Sequence, residues 1–218
     1  MTLSLIDPKD PLERQNDKLL KIDAKTGHVV GGIALPDPAG LASNGKRLLA
    51  ISGKQVVTVD PADGKVAPVI TDQLAAPVEL AVDGKGHIYV SDWADQMCVK
   101  VFASDGRHRR NIGTMGGRAW EGPYDPQGML LPAGISYDGR DRLWVAEYDF
   151  SPRRVSCWET ETGKLVMERV GRGRYGGMGY YVFPDNPAQG LLNNNLLDLD
   201  WERGRWRVRS TLWRGTQA

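Results

Sequence analysis

The stretch APVELAVDGKGHIYVSDWADQMCVKVFASDGRHRRNIG, Ala76–Gly113, decides the fold. It contains four short strand-like runs separated by glycine-bearing turns, with no helical period anywhere between them. The third run, CVKVF, leads through ASDGR into the fourth, which is the pattern of a β-hairpin.

Working outward, the same hairpin recurs four more times, as KLLKIDAKTGH, QVVTVDPADGK, VSCWETETGK and LLDLDWERGR. The closing glycines are Gly27, Gly64, Gly106, Gly163 and Gly204, spaced by 37, 42, 57 and 41 residues. A sustained period in this range marks a solenoid, propeller or array. Upstream of the hairpins a second strand pair repeats, in DPAGLASNGKRLLAIS, in APVELAVDGKGHIYVSDW and in LPAGISYDGRDRLWVAEY. Each unit therefore reads as strands A to D, the make-up of a propeller blade. The predicted fold is an all-β propeller in one domain, with about five blade units at residues 1–35, 36–72, 73–114, 130–171 and 172–213. The first unit is incomplete: it has a clear C–D hairpin, and residues 1–16 supply one poor strand at most. Residues 115–129 are an insertion. An unclosed edge invites pairing with another chain, so a homodimer, or closure between the two chain ends, is expected.

These units resemble NHL-repeat propellers, whose pattern runs Pro, small residue, Gly, apolar residues, an Asp-Gly turn, Tyr-Val-x-Asp and Val-x-Val-Phe. The match is best over Ala76–Gly113 and close over Leu130–Gly171, and it is specific to architecture, since the family holds both scaffolds and enzymes.

Composition excludes several classes. Lys and Arg number 28 against 27 Asp and Glu, leaving no electrostatic footprint for nucleic acid or an anionic membrane. The N-terminal stretch has charges and prolines where a signal peptide needs an apolar core, so the chain as given reads as soluble and cytoplasmic by default. Cys98 and Cys157 fall at different offsets in their units and read as buried free thiols. His28, His87 and His108 have no evident partner, which argues against a histidine-driven triad. No nucleophile elbow, phosphate loop or paired-cysteine zinc pattern is present.

Repetition turns sequence columns into rings. The column ending strand B reads Ser52, Asp92, Glu147 and Asn195, all oxygen-bearing, and strand A carries Glu79 where two other units have Gly40 and Gly134. Glu79, Asp92, Glu147 and Asn195 together suit calcium, which takes 6 to 8 oxygen ligands in loose geometry. The alternative for Asp92 is an acceptor of backbone N–H bonds in the turn that follows it. The insertion offers Trp120, Tyr124 and Gln127 as substrate contacts and Glu121 and Asp125 as bases, or else it only bridges a wider gap between blades.

Two functions follow. One is a hydrolase of lactones or esters similar to calcium-dependent gluconolactonase and paraoxonase-type propellers, in which a calcium ion polarises the carbonyl and a carboxylate activates water. The resemblance is incomplete, because the family's ligands preceding the strand A glycine correspond here to Ala39, Val78 and Ala133. The other is a non-catalytic propeller scaffold that presents loops to a protein or carbohydrate.

Overall fold

The computed structural model describes residues 2–4, 17–119, 122–148, 153–171, 180–192 and 195–211. Among these residues every regular element is a strand, and no helix is long and apolar enough to cross a membrane. The strands form five antiparallel sheets. The first holds β1 (Thr2–Ser4), β2 (Lys18–Ile22) and β3 (Val29–Ala34) in sequence order. The second holds β4 (Pro38–Ser43), β5 (Leu48–Ser52), β6 (Gln55–Val59) and β7 (Val66–Ile70). The third holds β8 (Pro77–Val82), β9 (Ile88–Asp92), β10 (Cys98–Phe102) and β11 (His108–Ile112). After the short β12 (Gly122–Pro123), the fourth holds β13 (Pro132–Tyr137), β14 (Arg142–Glu147), β15 (Arg153–Glu159) and β16 (Leu165–Gly171). The fifth holds β17 (Tyr180–Phe183), β18 (Asn186–Leu192), β19 (Asn195–Asp200) and β20 (Arg205–Thr211). This is the propeller pattern, with four-stranded meanders as blades and a first blade of three strands.

The chain packs as two compact units, Met1–Ala94 with Lys100–Arg110, and Asp95–Val99 with Asn111–Ala218. In the first unit, Leu49, Ile51, Val56 and Ile70 of the second sheet meet Leu80, Ile88, Val90 and Phe102 of the third. The other face of the second sheet, through Ala50, Val57 and Val59, packs on Leu19, Ile33 and Leu35. Both faces of the second sheet are therefore covered, and each fully buried Leu or Ile stabilises by about 1.5–3 kcal/mol. In the second unit Leu143, Val145, Cys157 and Trp158 form the interior of the fourth sheet. Cys98 and Cys157 are free and buried.

Local chemistry explains the turns. All five repeat-closing glycines have positive φ, from 59° at Gly204 to 87° at Gly106, a region that a residue with a Cβ enters only at a cost. At Gly106 a side chain is excluded for a second reason, since a Cβ there would run into the Val69 carbonyl. Strand A opens with proline in three blades, and each time a register shift follows, between Pro38 and Leu41, Pro77 and Glu79, and Pro132 and Gly134. The prolines lie opposite Ser52, Asp92 and Glu147, so the strand A irregularity that each proline opens faces the oxygen-bearing column.

The insertion at 115–129 has a use that the repeat pattern does not reveal. Its Gly122 and Pro123 pair with Thr211 and Ser210, giving the fifth sheet the order β12-β20-β19-β18-β17.

Candidate functional site

Asp92 ends β9 with its carboxylate fully buried. It accepts N–H bonds from Ala75 (3.1 and 3.0 Å) and Ala76 (2.7 Å), and Lys100 Nζ lies 2.9 Å from Oδ2. Lys100 in turn donates to the Gln73 carbonyl. Asp92 is thus the backbone acceptor of the alternative reading, although the N–H groups come from the loop before β8 and not from the turn after β9. The lysine of CVKVF is its counter-charge.

Glu79 is half-buried on β8. Its Oε1 accepts the Leu80 N–H at 2.9 Å, and burial pushes its carboxyl above the ordinary 4.5 against the pull of the Leu80 and Leu41 N–H groups. The side chain lies over Gly40: a Cβ on Gly40 would sit 2.8 Å from the Glu79 Cα and 2.9 Å from the Leu80 nitrogen, and would clash with the Glu79 carboxylate. The strand A glycine of one blade is the space into which the glutamate of the next blade fits.

In the second unit Glu147 ends β14, buried between two arginines. Arg118 Nη2 donates to Oε2 and Arg154 Nη1 donates to Oε1 at 3.0 Å. Burial pushes the Glu147 carboxyl up, and both guanidiniums oppose that. Arg154 also donates to the Gly128 and Pro126 carbonyls, and its Nε lies 2.7 Å from Glu168 Oε2. Tyr124 completes the network: its hydroxyl donates to Glu168 at 2.7 Å, and its ring lies 5.5 Å from the Arg118 guanidinium and 5.9 Å from that of Arg154. Burial pushes the Tyr124 phenol well above its ordinary range, with the Glu168 carboxylate adding to the effect. Asn195 is buried at the start of β19, where its Oδ1 accepts the Thr211 hydroxyl at 3.2 Å.

Protein groups meet most of the residues expected to hold calcium. Glu79 and Asp92 belong to the first unit and Glu147 and Asn195 to the second, and three of the four are held by other partners. Among the described residues no group of three or more His, Cys, Asp or Glu side chains is placed to hold a metal. Of the insertion residues, Asp125 accepts the Gln127 N–H at 2.8 Å in a local turn, and the Gln127 side chain is exposed. Trp120 and Glu121 lie outside the described residues.

Sequence reasoning missed Arg118, Arg154 and Lys100, the cations that satisfy the acids. The available signal was a lysine inside the apolar run CVKVF, since an ammonium is buried there only with a partner. The reading of His87 is also corrected. Its Nδ1 lies 2.9 Å from the buried Asp83 carboxylate, and Arg109 Nη1 lies 2.6 Å from its Nε2. Asp83 further accepts the Lys85 and His87 N–H groups and the Tyr89 hydroxyl, so it is a turn brace with the imidazole in its shell.

The second unit has two adjoining concavities lined mainly by β16 of the fourth sheet and β20 of the fifth. One, of about 540 Å³, is lined by Met167–Val170 of β16 and by Gly204 and Arg205–Arg207. The other, of about 370 Å³, adds Tyr124, Pro126, Asp198 and Arg209 and shares Glu168 and Arg207.

Neither a family model nor a curated protein sequence matches the chain. Solved structures do. The chain is similar to one in the nidogen/laminin complex, with TM-score 0.56 and 17% identity over 89% of this chain and 75% of that one. It is similar to streptogramin B lyase, with TM-score 0.52 and 13% identity over 92% of this chain and 63% of that one. A third is the glutaminyl cyclase of Myxococcus xanthus, with TM-score 0.51 and 15% identity over 90% and 78%. At these identities the likeness establishes a shared β-propeller fold and leaves function to the site.

Proposed function

We propose that this chain is a non-catalytic propeller module that binds a partner on its surface. The observation that carries this reading is Glu147 clamped between Arg118 and Arg154. A carboxylate already matched by two buried guanidiniums has little to gain from a cation, and freeing it for one would strand both arginines without a counter-charge. Asp92, matched by Lys100 and two backbone N–H groups, is in the same position. Solved propellers of similar fold include both enzymes and a chain from a protein–protein complex, so fold alone favours neither class.

Calcium-assisted lactone or ester hydrolysis is the second reading, and one observation favours it. Glu79 has no ion pair among the described residues, and its raised pKa is a property of carboxylates that do acid–base work. Calorimetry with calcium and hydrolysis of a lactone and an aryl ester, each with and without chelator, separate the two. The module reading expects no heat of calcium binding, no calcium-dependent rise in Tm and no turnover. Turnover that chelation abolishes, and that Glu79→Gln also abolishes, would overturn it.

A further inference from the structure

We propose that the groove between β16 and β20 binds an extended acidic peptide that adds to the exposed strand edges, an inference that rests on the binding-module reading above. Three observations converge on it. The first is charge. Glu168 is committed to Arg154 and Tyr124, and Asp198 to Arg207 (2.9 Å) and Arg209 (2.7 Å). That leaves Arg169, which donates only to the Glu168 carbonyl, and Arg205, which lies across from Asp200, both exposed and without a salt bridge among the described residues. The second is backbone. β16 is the outermost strand of its sheet, and the insertion borders β20 at its end, where β12 pairs with Ser210 and Thr211 and the Tyr124 N–H donates to the Arg209 carbonyl. An extended segment can pair with such an edge while its side chains meet the arginines, which is recognition by strand addition. The third is Trp206, 45% exposed on the groove wall between two arginines. An indole left in water beside cations is a contact surface for a partner.

The chain's own neighbouring segments do not complement this charge. Residues 172–179 and 212–218, which follow β16 and β20, carry Arg172, Arg174 and Arg214 and no acidic residue. A peptide is favoured over an acidic polysaccharide because the groove offers main-chain partners as well as charge.

The test is calorimetric titration of the full chain with octaglutamate, with octaglutamate N-methylated at alternate peptide nitrogens, with octalysine and with a sulfated oligosaccharide. Octaglutamate should bind with an affinity that falls as salt rises, and octalysine should not bind. Arg169→Glu and Arg205→Glu should each weaken binding about tenfold, and Trp206→Ala should weaken it as well. Asp198→Asn should tighten binding by releasing Arg207 and Arg209, a gain that misfolding cannot imitate. N-methylation should weaken binding several-fold. Equal binding of the N-methylated peptide or of the oligosaccharide would overturn strand addition. Absence of octaglutamate binding would overturn the site. A concentration-dependent dimer broken by Arg169→Glu would assign the groove to a second copy and overturn the peptide. Failure here with no hydrolysis discards the groove and keeps the module reading, whereas hydrolysis alongside peptide binding does the reverse.

Discussion

Glu79 shows at the residue level how a correct observation in sequence acquires a different meaning in space. The replacement of a repeat glycine by glutamate is visible in the column Gly40, Glu79, Gly134, and it suggests a ligand at a channel mouth. In the structure it has a steric consequence, because Gly40 of the preceding blade leaves the room that the Glu79 side chain occupies. Gly40→Ala should therefore destabilise by about 1–3 kcal/mol through overpacking. Gly134→Ala, whose Cβ would find only the Ala146 Cβ at 3.8 Å, should be neutral or slightly stabilising. Equal effects in urea denaturation would contradict the assignment. Glu79 also makes a prediction in pH. Its folded pKa is raised, so the folded state binds the proton more tightly than the unfolded state does, and stability falls as pH rises from 4.5 through the folded value. Glu79→Gln should flatten the dependence of Tm on pH in that window and raise Tm at neutral pH, with the wild type and variant converging under acid conditions.

Among the elements, the A–B strand pairs were legible and the bracing of the fourth blade was not. Period, alternation and turn glycines are local properties, so four-stranded units could be read from them, and β4 to β11 and β13 to β16 form three four-stranded sheets. The clamp on Glu147 joins Arg118 of the insertion to Arg154 at the start of β15, and such a pairing has no local signature. Only the apolar surroundings of a strand-ending acid hint at it. Glu147→Ala should cost about 3–5 kcal/mol by leaving Arg118 and Arg154 buried without their carboxylate. Asp198→Asn, which breaks pairs with the exposed Arg207 and Arg209, should cost less than about 1 kcal/mol. Comparable losses of stability in the two variants would mean that the clamp is not the brace described.

For the molecule as a whole, the propeller class was readable because five hairpins repeat one chemistry, and the individual site was not, because repetition predicts where a column lies and not what each member touches. Asp92 and Glu147 share a column and each takes a cation from the neighbouring strand of its own sheet, Lys100 and Arg154, yet only Glu147 takes a second one, Arg118, from chain outside the repeat. The pairing of β12 with β20 carries a consequence of another kind. During synthesis Gly122 and Pro123 leave the ribosome long before Ser210 and Thr211, with the entire fourth blade made in between. The insertion therefore waits as an unmatched strand until the last hairpin emerges, and closing so long a loop is a slow, late event. A chain halted before β20 would be left with that strand bare, exposing to quality control a site that the finished protein covers.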